Sequence, residues 1–365
     1  MANRFLIKTG LIGRKRYIRT MVSLYERLFG CGNTDMVLPD EIREFSLRHY
    51  TTQSRKQQYE SLARTIERFV DFSSLESCGS IKERRMRVSD VSRETLEHLQ
   101  NFLLHEDEAV RRYPELLSLY EHSKMPQPRS INTVSGQLKM LRTFFKWCVQ
   151  TGRVDVSPFA DFRIAGELYG TPVYLTLEEV EQVAACDFSS RPGLAQQRDI
   201  FVFQCNVGCR VGDLMRLKKQ DVINARIEYI PQKTRAENPR TVTVPLNATA
   251  RAIVGRYSSD GREELLPFIS PQKYNSAIKK ILAGAGITRQ VTVLDTLSRQ
   301  EKRVRICDIG SSHMARRTFA GNLYKKVRDP ALVASLTGHK EGSKAFARYR
   351  AIDDDLKREL VDLLG

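Results

Sequence analysis

Apolar side chains recur every third or fourth position through the stretch that begins near Thr51. Tyr59, Leu62, Ile66, Phe69 and Val70 fall on one side of a helix, with Arg55, Lys56, Arg64 and Arg68 on the other. A repeat of 3.6 residues brings such positions onto one face, so the pattern predicts an amphipathic helix that must bury its stripe against a partner. The repeat returns in Val91, Leu96, Leu99, Phe102 and Leu103, and again in Ile131, Val134, Leu138, Leu141, Phe145 and Cys148. Residues 106–127, between them, are charged and poorly periodic. Stripes that need one another predict an all-α domain over residues 49–164. A shorter helical run (Met21, Leu24, Leu28) lies in the extension formed by residues 1–48.

Periodicity fades from Val156 to Pro172, where Pro158, Gly166, Gly170 and Pro172 interrupt the chain. A linker is expected at 165–173. Thr176-Leu-Glu-Glu179 then matches a capping box, in which a Thr hydroxyl and a Glu carboxylate satisfy each other's backbone N–H groups, and opens a second domain over 174–365. Here the period changes to two in Ile227-Glu-Tyr229 and in Thr241-Val-Thr-Val244, with the basic stretch Lys233 to Arg240 between. This predicts a hairpin with a basic loop. The rest reads as mostly helical, with caps at Asn247, Ser270 and Ser311 or Ser312. The fold class expected is therefore multi-domain: an all-α domain, then a mixed, mostly α domain with a small β-hairpin or sheet.

Composition narrows the function. The chain has 365 residues, enough for two or three domains at about 150 residues each. Its net charge of +16 favours a polyanionic partner, nucleic acid first and an acidic membrane surface second. No run of roughly 18 apolar residues exists to span a membrane. The seven cysteines include no CxxC pair, which argues for reduced thiols in a cytosolic setting and against a zinc finger. Cys205 and Cys209 read as core residues rather than ligands. Residues 1–25 carry Arg4, Lys8, Arg14, Lys15, Arg16 and Arg19 and no Asp or Glu. A transit peptide fits that composition, and so does a basic arm that touches DNA phosphates, the reading the whole-chain charge prefers.

The candidate chemistry gathers in the second domain. His313-Met-Ala-Arg316 places His and Arg on one helix face. Gly338-His339 follows a helix end, and Tyr349 comes ten positions later. Gly208-Cys-Arg210-Val-Gly-Asp213-Leu sets an arginine at a turn into a short helix. Arginine forks bind phosphate oxygens bidentately and stay charged, which matters most where negative charge grows in a transition state. Tyrosine, with an ordinary pKa near 10, needs nearby cations or a base to become a nucleophile. Each box has a plainer reading. Arg210 could cap a helix or pair with Asp213, Arg317 rivals Arg316 although the i, i+3 spacing from His313 favours Arg316, and a hairpin lysine such as Lys233, with Arg235 and Arg240 beside it, could simply be solvated. The basic runs Lys82 to Arg87, Lys279-Lys280 and Arg299 to Arg305 could be solvated faces or phosphate contacts.

Taken in order, these boxes resemble those of the tyrosine recombinases and phage-type integrases. The resemblance covers residues 174 to the end and, more loosely, the helical domain before it. The first arginine box has Asp213 where the family usually has Glu. The lysine box is Gln232-Lys233-Thr234, followed by Val244-Pro-Leu246. The His313–Arg316 box runs on into Thr318-Phe-Ala320, and Gly338-His339 and Tyr349 complete the set. Five boxes in order are far more specific than any one alone. The resemblance implies that Arg210 and Arg316 clamp a scissile phosphate, Lys233 protonates the departing 5′ oxygen, and His313 and His339 position the phosphate and assist proton movement. Tyr349 attacks to leave a 3′-phosphotyrosine. The link conserves the bond energy, so no cofactor, ATP or metal is implied.

It also implies a clamp of two domains on double-stranded DNA and a homotetramer on paired sites, with accessory DNA-bending proteins and no membrane. The chain would work in the cytoplasm, with the nucleoid. Residues 1–48 would be an arm-binding region, as in mobile-element integrases, or an added helix. The stripe Ile352, Leu356, Leu360, Val361 and Leu364 predicts a C-terminal helix that docks on its own domain or on a neighbouring subunit. The same chemistry would also suit a type IB topoisomerase or a telomere resolvase. A catalytically silent DNA-binding accessory protein is the reading from another class.

Overall fold

A computed structural model describes residues 36–50, 52–81, 85–120, 124–235, 239–338 and 361–362. The basic extension before residue 36, His339, Tyr349 and all of the C-terminal stripe except Val361 lie outside the described residues. The chain divides into two compact units, with the division after Leu168. No helix among the described residues is long and apolar enough to cross a membrane.

The first unit is helical. Helix α1 (Leu38–His49) packs mainly on α2 (Gln53–Cys78), and α3 (Arg93–Leu104), α4 (Glu106–Arg112) and α5 (Ile131–Gln150) complete it. The stripe residues Tyr59, Leu62, Ile66 and Phe69 are all buried, together with Leu96, Leu99, Leu138, Leu141 and Phe145. Helix α1 contributes Leu38, Ile42 and Phe45 to the same core, so the helical unit begins upstream of residue 49. Phe159 and Phe162 belong to that core as well. Asn132 of α5 clasps Leu168 through both its amide atoms, and the Ser135 hydroxyl donates to the Ala165 carbonyl at 2.9 Å. The irregular segment after α5 is thus fastened along that helix.

Charge inside this unit follows pairing. Glu106 is only 1% exposed and accepts from Arg68 at 2.7 Å and from the Tyr120 hydroxyl at 2.5 Å, with Arg129 also paired to it. Burial would raise its carboxyl, but the Arg68 and Arg129 charges outweigh burial and hold it below the usual carboxylate range. The charged stretch without apolar periodicity therefore contains α4, and its charge is part of the interior.

The second unit opens with α6 (Leu177–Ala185), capped as the sequence predicts: Glu179 N–H donates to the Thr176 hydroxyl and Thr176 N–H to the Glu179 carboxylate. Helix α7 (Pro192–Val207) runs through the core, and α8 (Val211–Leu214) is a single turn. Strands β1 (Val222–Ile223), β2 (Arg226–Tyr229) and β3 (Val242–Pro245) form an antiparallel sheet in that order, with Ile227 opposite Val244 and Tyr229 opposite Val242. After α9 (Ala248–Arg256) and α10 (Pro271–Gly284), whose caps are Asn247 and Ser270 as expected, comes a second hairpin. It pairs β4 (Gln290–Leu294) with β5 (Glu301–Arg305), a strand carrying Glu301, Lys302 and Arg303, all exposed. Because the charges are spread along an exposed strand, the alternation is hidden. Helices α11 (Ser312–Val327) and α12 (Pro330–Thr337) follow.

Candidate active site

Helix α7 ends at Gly208, whose φ of 71° is left-handed. A β-carbon there would lie 2.1 Å from Cδ1 of Phe319, so only glycine fits both the backbone and the space. The turn hands the chain to buried Cys209 and then to Arg210, which occupies the N-cap position of α8 without capping it through its side chain. Behind the turn lies a fully buried relay. The Tyr274 hydroxyl donates to Oε1 of Gln204 at 3.0 Å, and Nε2 of Gln204 donates to the Cys209 carbonyl at 3.0 Å. Burial pushes the Cys209 thiol up to about 12, with the nearby Arg316 charge opposing that shift, so it stays protonated.

Arg316 is the largest of the fully buried side chains, 1% exposed on α11. Its Nη1 donates to the Gly208 carbonyl and its Nη2 to the Thr337 carbonyl, both at 2.7 Å. One guanidinium therefore joins the arginine turn to the end of α12. Gly338, next in the chain, has a φ of 63°, and a β-carbon on it would come within 2.9 Å of Val242 on β3. The Gly-His box is pressed against the sheet. Arg317, the rival, is half-buried. His313 is exposed on the first turn of α11, which is tethered where the Ser312 N–H donates to Oδ1 of Asn275 at 2.9 Å. Ser311 takes the N-cap position of that helix but makes no side-chain cap bond.

Asp213 is 6% exposed and accepts the backbone N–H of Gln232 at 2.9 Å through Oδ1. That bond ties α8 to the turn carrying Lys233. Lys233 is exposed and makes no side-chain bond among the described residues. Arg210 is half-buried and forms neither ion pair nor hydrogen bond among them, Asp213 included. Its Nη1 is buried without a partner, as is Oδ2 of Asp213. A buried, unneutralised guanidinium nitrogen is costly in a folded protein unless an anion completes it.

Arg210, Asp213, Arg316 and the turn before Lys233 are thus brought together by direct bonds through Gly208, Gln232 and Thr337. His313 lies on the same helix as Arg316, with its side chain towards solvent. Sequence reasoning assigned no site role to Gln204, Tyr274 or Tyr229, the last of them read only as a strand residue. Gln204 carried a signal, as a lone amide after the apolar run Ile200 to Phe203; Tyr274 carried none, because its partner is 70 positions away.

The phage integrase family model matches residues 174–355, and the phage integrase SAM-like domain model matches residues 39–164. Among curated proteins, a tyrosine recombinase XerC from Oceanobacillus iheyensis is 24% identical over 303 residues, covering 80% of this chain and 93% of that protein. Solved structures that share the fold include two of lambda integrase. A lambda integrase dimer bound to a COC′ core site aligns with a TM-score of 0.56 at 15% identity, over 92% of this chain and 87% of that one. A lambda integrase tetramer bound to a Holliday junction gives 0.53 at 14%, over 91% and 89%.

Proposed function

Since the chain belongs to the phage integrase family and is a tyrosine recombinase, a DNA strand-transfer enzyme, we propose that it cuts and rejoins double-stranded DNA at specific paired sites with Tyr349 as nucleophile. The observation that carries this reading is the Arg210 guanidinium, poised with a buried, unpartnered nitrogen at a turn that Arg316 holds from behind.

In this reading the two arginines take the non-bridging oxygens of the scissile phosphate. The phenolic oxygen of Tyr349 forms a bond to phosphorus as the bond to the 5′ oxygen breaks. Lys233 supplies the proton that the leaving oxygen needs, and His313 and His339 position the phosphate and move protons. The free 5′ hydroxyl of a partner strand then attacks the phosphotyrosine and releases Tyr349. The number of phosphodiester bonds is unchanged. Two guanidiniums held in place before the charge develops stabilise the transition state without reorganisation. The lambda integrase dimer on a core site and tetramer on a Holliday junction support double-stranded DNA as partner and assembly as a tetramer on paired sites. The finer reading adds accessory DNA-bending proteins, a cytoplasmic setting, a linker at 165–173 and a basic arm in the part of residues 1–48 that precedes α1.

The test is covalent capture. The protein and its Tyr349→Phe variant are expressed in the source cells, lysed under denaturing conditions, and any attached DNA is sequenced. Enrichment of one locus with the unaltered chain alone is the expected result. Attachment across the whole genome would point to a topoisomerase, and no attachment in either sample would sink the catalytic reading.

A further inference from the structure

One hydroxyl near the two arginines has no role in this scheme. Tyr229 closes β2 directly opposite Val242, the residue on which Gly338 is pressed. Three residues on, Gln232 is tied to Asp213. Ile227 and Tyr229 share one face of the strand, and the half-buried Tyr229 ring packs against the core of the second unit. Its charged neighbours are Arg316, Asp213 and Arg210, with the Cys209 thiol beside them. The hydroxyl makes no hydrogen bond among the described residues, and it is not among the buried side-chain oxygens that lack a partner. The hydroxyl therefore reaches solvent within the electrostatic reach of two guanidiniums, where it can donate to an anion they bind.

Resting on the recombinase reading, we propose that the Tyr229 hydroxyl donates a hydrogen bond to a non-bridging oxygen of the phosphate held by Arg210 and Arg316. Burial and the neighbouring thiol keep this phenol well above its ordinary pKa, so it is neutral and holds its proton at neutral pH. A neutral donor complements the guanidiniums, because it adds a bond to the developing charge without adding repulsion between cations. The residue has no part in proton transfer to the leaving oxygen, which remains the task of Lys233.

The experiment uses the full chain with a DNA duplex containing the captured locus. It compares the unaltered protein with Tyr229→Phe, Tyr349→Phe and Lys233→Ala. The phenylalanine keeps the ring and its packing and removes only the oxygen. Formation of the covalent protein–DNA adduct is expected to slow roughly 10- to 100-fold in Tyr229→Phe, the range for losing a hydrogen bond to a charged group. DNA affinity and the thermal midpoint should stay at the unaltered values. A duplex with sulfur as the 5′ bridging atom should rescue Lys233→Ala and leave Tyr229→Phe slow, because a thiolate leaves without a proton.

Adduct formation in Tyr229→Phe at the unaltered rate overturns the proposal. So does a slower rate matched by an equal loss of affinity or thermal midpoint, which would make the hydroxyl structural. Rescue of Tyr229→Phe by the sulfur duplex also overturns it, by moving the bond to the leaving atom. An adduct in Tyr349→Phe that maps to Tyr229 would make Tyr229 the nucleophile. If the unaltered protein forms no adduct, the recombinase reading itself fails and carries this one with it.

Discussion

The Arg316 guanidinium donates to the carbonyl of Gly208 at 2.7 Å although 108 positions separate the two residues in the chain. With its second bond, to the Thr337 carbonyl, it fixes three boxes of the second unit with one side chain. Lysine cannot reproduce this, because an ammonium is a single point where the guanidinium is a planar fork. In Arg316→Lys, at least one buried carbonyl is left without its donor, at a cost of about 1–3 kcal/mol. The expected outcome is a lower urea midpoint together with an adduct rate reduced by at least about 100-fold. An Arg316→Lys protein that keeps both would show that the fork is dispensable.

Gly208 is required twice, by its backbone and by Phe319. Gly208→Ala adds a β-carbon at a left-handed φ and drives it into the Phe319 ring. Conformational strain of about 1 kcal/mol and overpacking of about 1–3 kcal/mol should together lower unfolding free energy. The two terms separate in a double-mutant cycle. Phe319→Ala removes the ring atoms that clash and leaves the strain, so the double variant should be less destabilised than the sum of the singles. Strict additivity, measured by urea unfolding, would place the cost in the backbone alone.

Acid should undo the first unit through Glu106. Its folded pKa is held down by Arg68 and Arg129 against the opposing effect of burial. A depressed carboxylate pKa contributes stability that is present above the unfolded value, near 4.3, and lost as pH falls through the folded value. Unfolding free energy followed by helical signal should therefore fall below about pH 4. Glu106→Gln should lose about 3 kcal/mol at neutral pH, because two arginines are left without their carboxylate, and should show a shallower acid slope. An unchanged slope would assign acid sensitivity to other carboxylates.

How much of this was legible in the sequence depends on the reach of each interaction. The stripes of α2, α3 and α5 and the cap at Thr176 were readable because helical periodicity and capping act within a few residues. The arginine, lysine and histidine boxes were readable as short ordered motifs. Helix α4 was hidden because its carboxylate Glu106 is satisfied by Arg68, 38 positions earlier, and charge alone suggests solvent. Strand β5 was hidden by exposed charges, and its partner β4 fixes it only through the hairpin. Spacing from His313 favoured Arg316 over Arg317, but the bonds Arg316 makes to Gly208 and Thr337, far along the chain, lay beyond what spacing can show. Whether Arg210 pairs with Asp213 was likewise open in the sequence. The structure turns that carboxylate to Gln232 instead.

That turn of Asp213 leads to the last expectation. Its carboxylate holds the backbone just before Lys233, so it should act on the lysine's position rather than on the phosphate. Asp213→Ala frees the Gln232 N–H and should slow adduct formation on ordinary DNA by about 10-fold, the loss of one bond to a charged group. Lys233→Ala should be slower still, by roughly 100- to 10,000-fold, the span of general acid catalysis. A duplex carrying sulfur at the 5′ bridging position discriminates, because a thiolate with a pKa near 8.5 needs no proton to depart. On that duplex both variants should approach the unaltered rate, while Arg316→Lys, which loses the guanidinium fork on the phosphate, should remain slow. If Asp213→Ala stays slow with sulfur, its carboxylate serves the arginine turn, and the bond to Gln232 is a fastening of the fold.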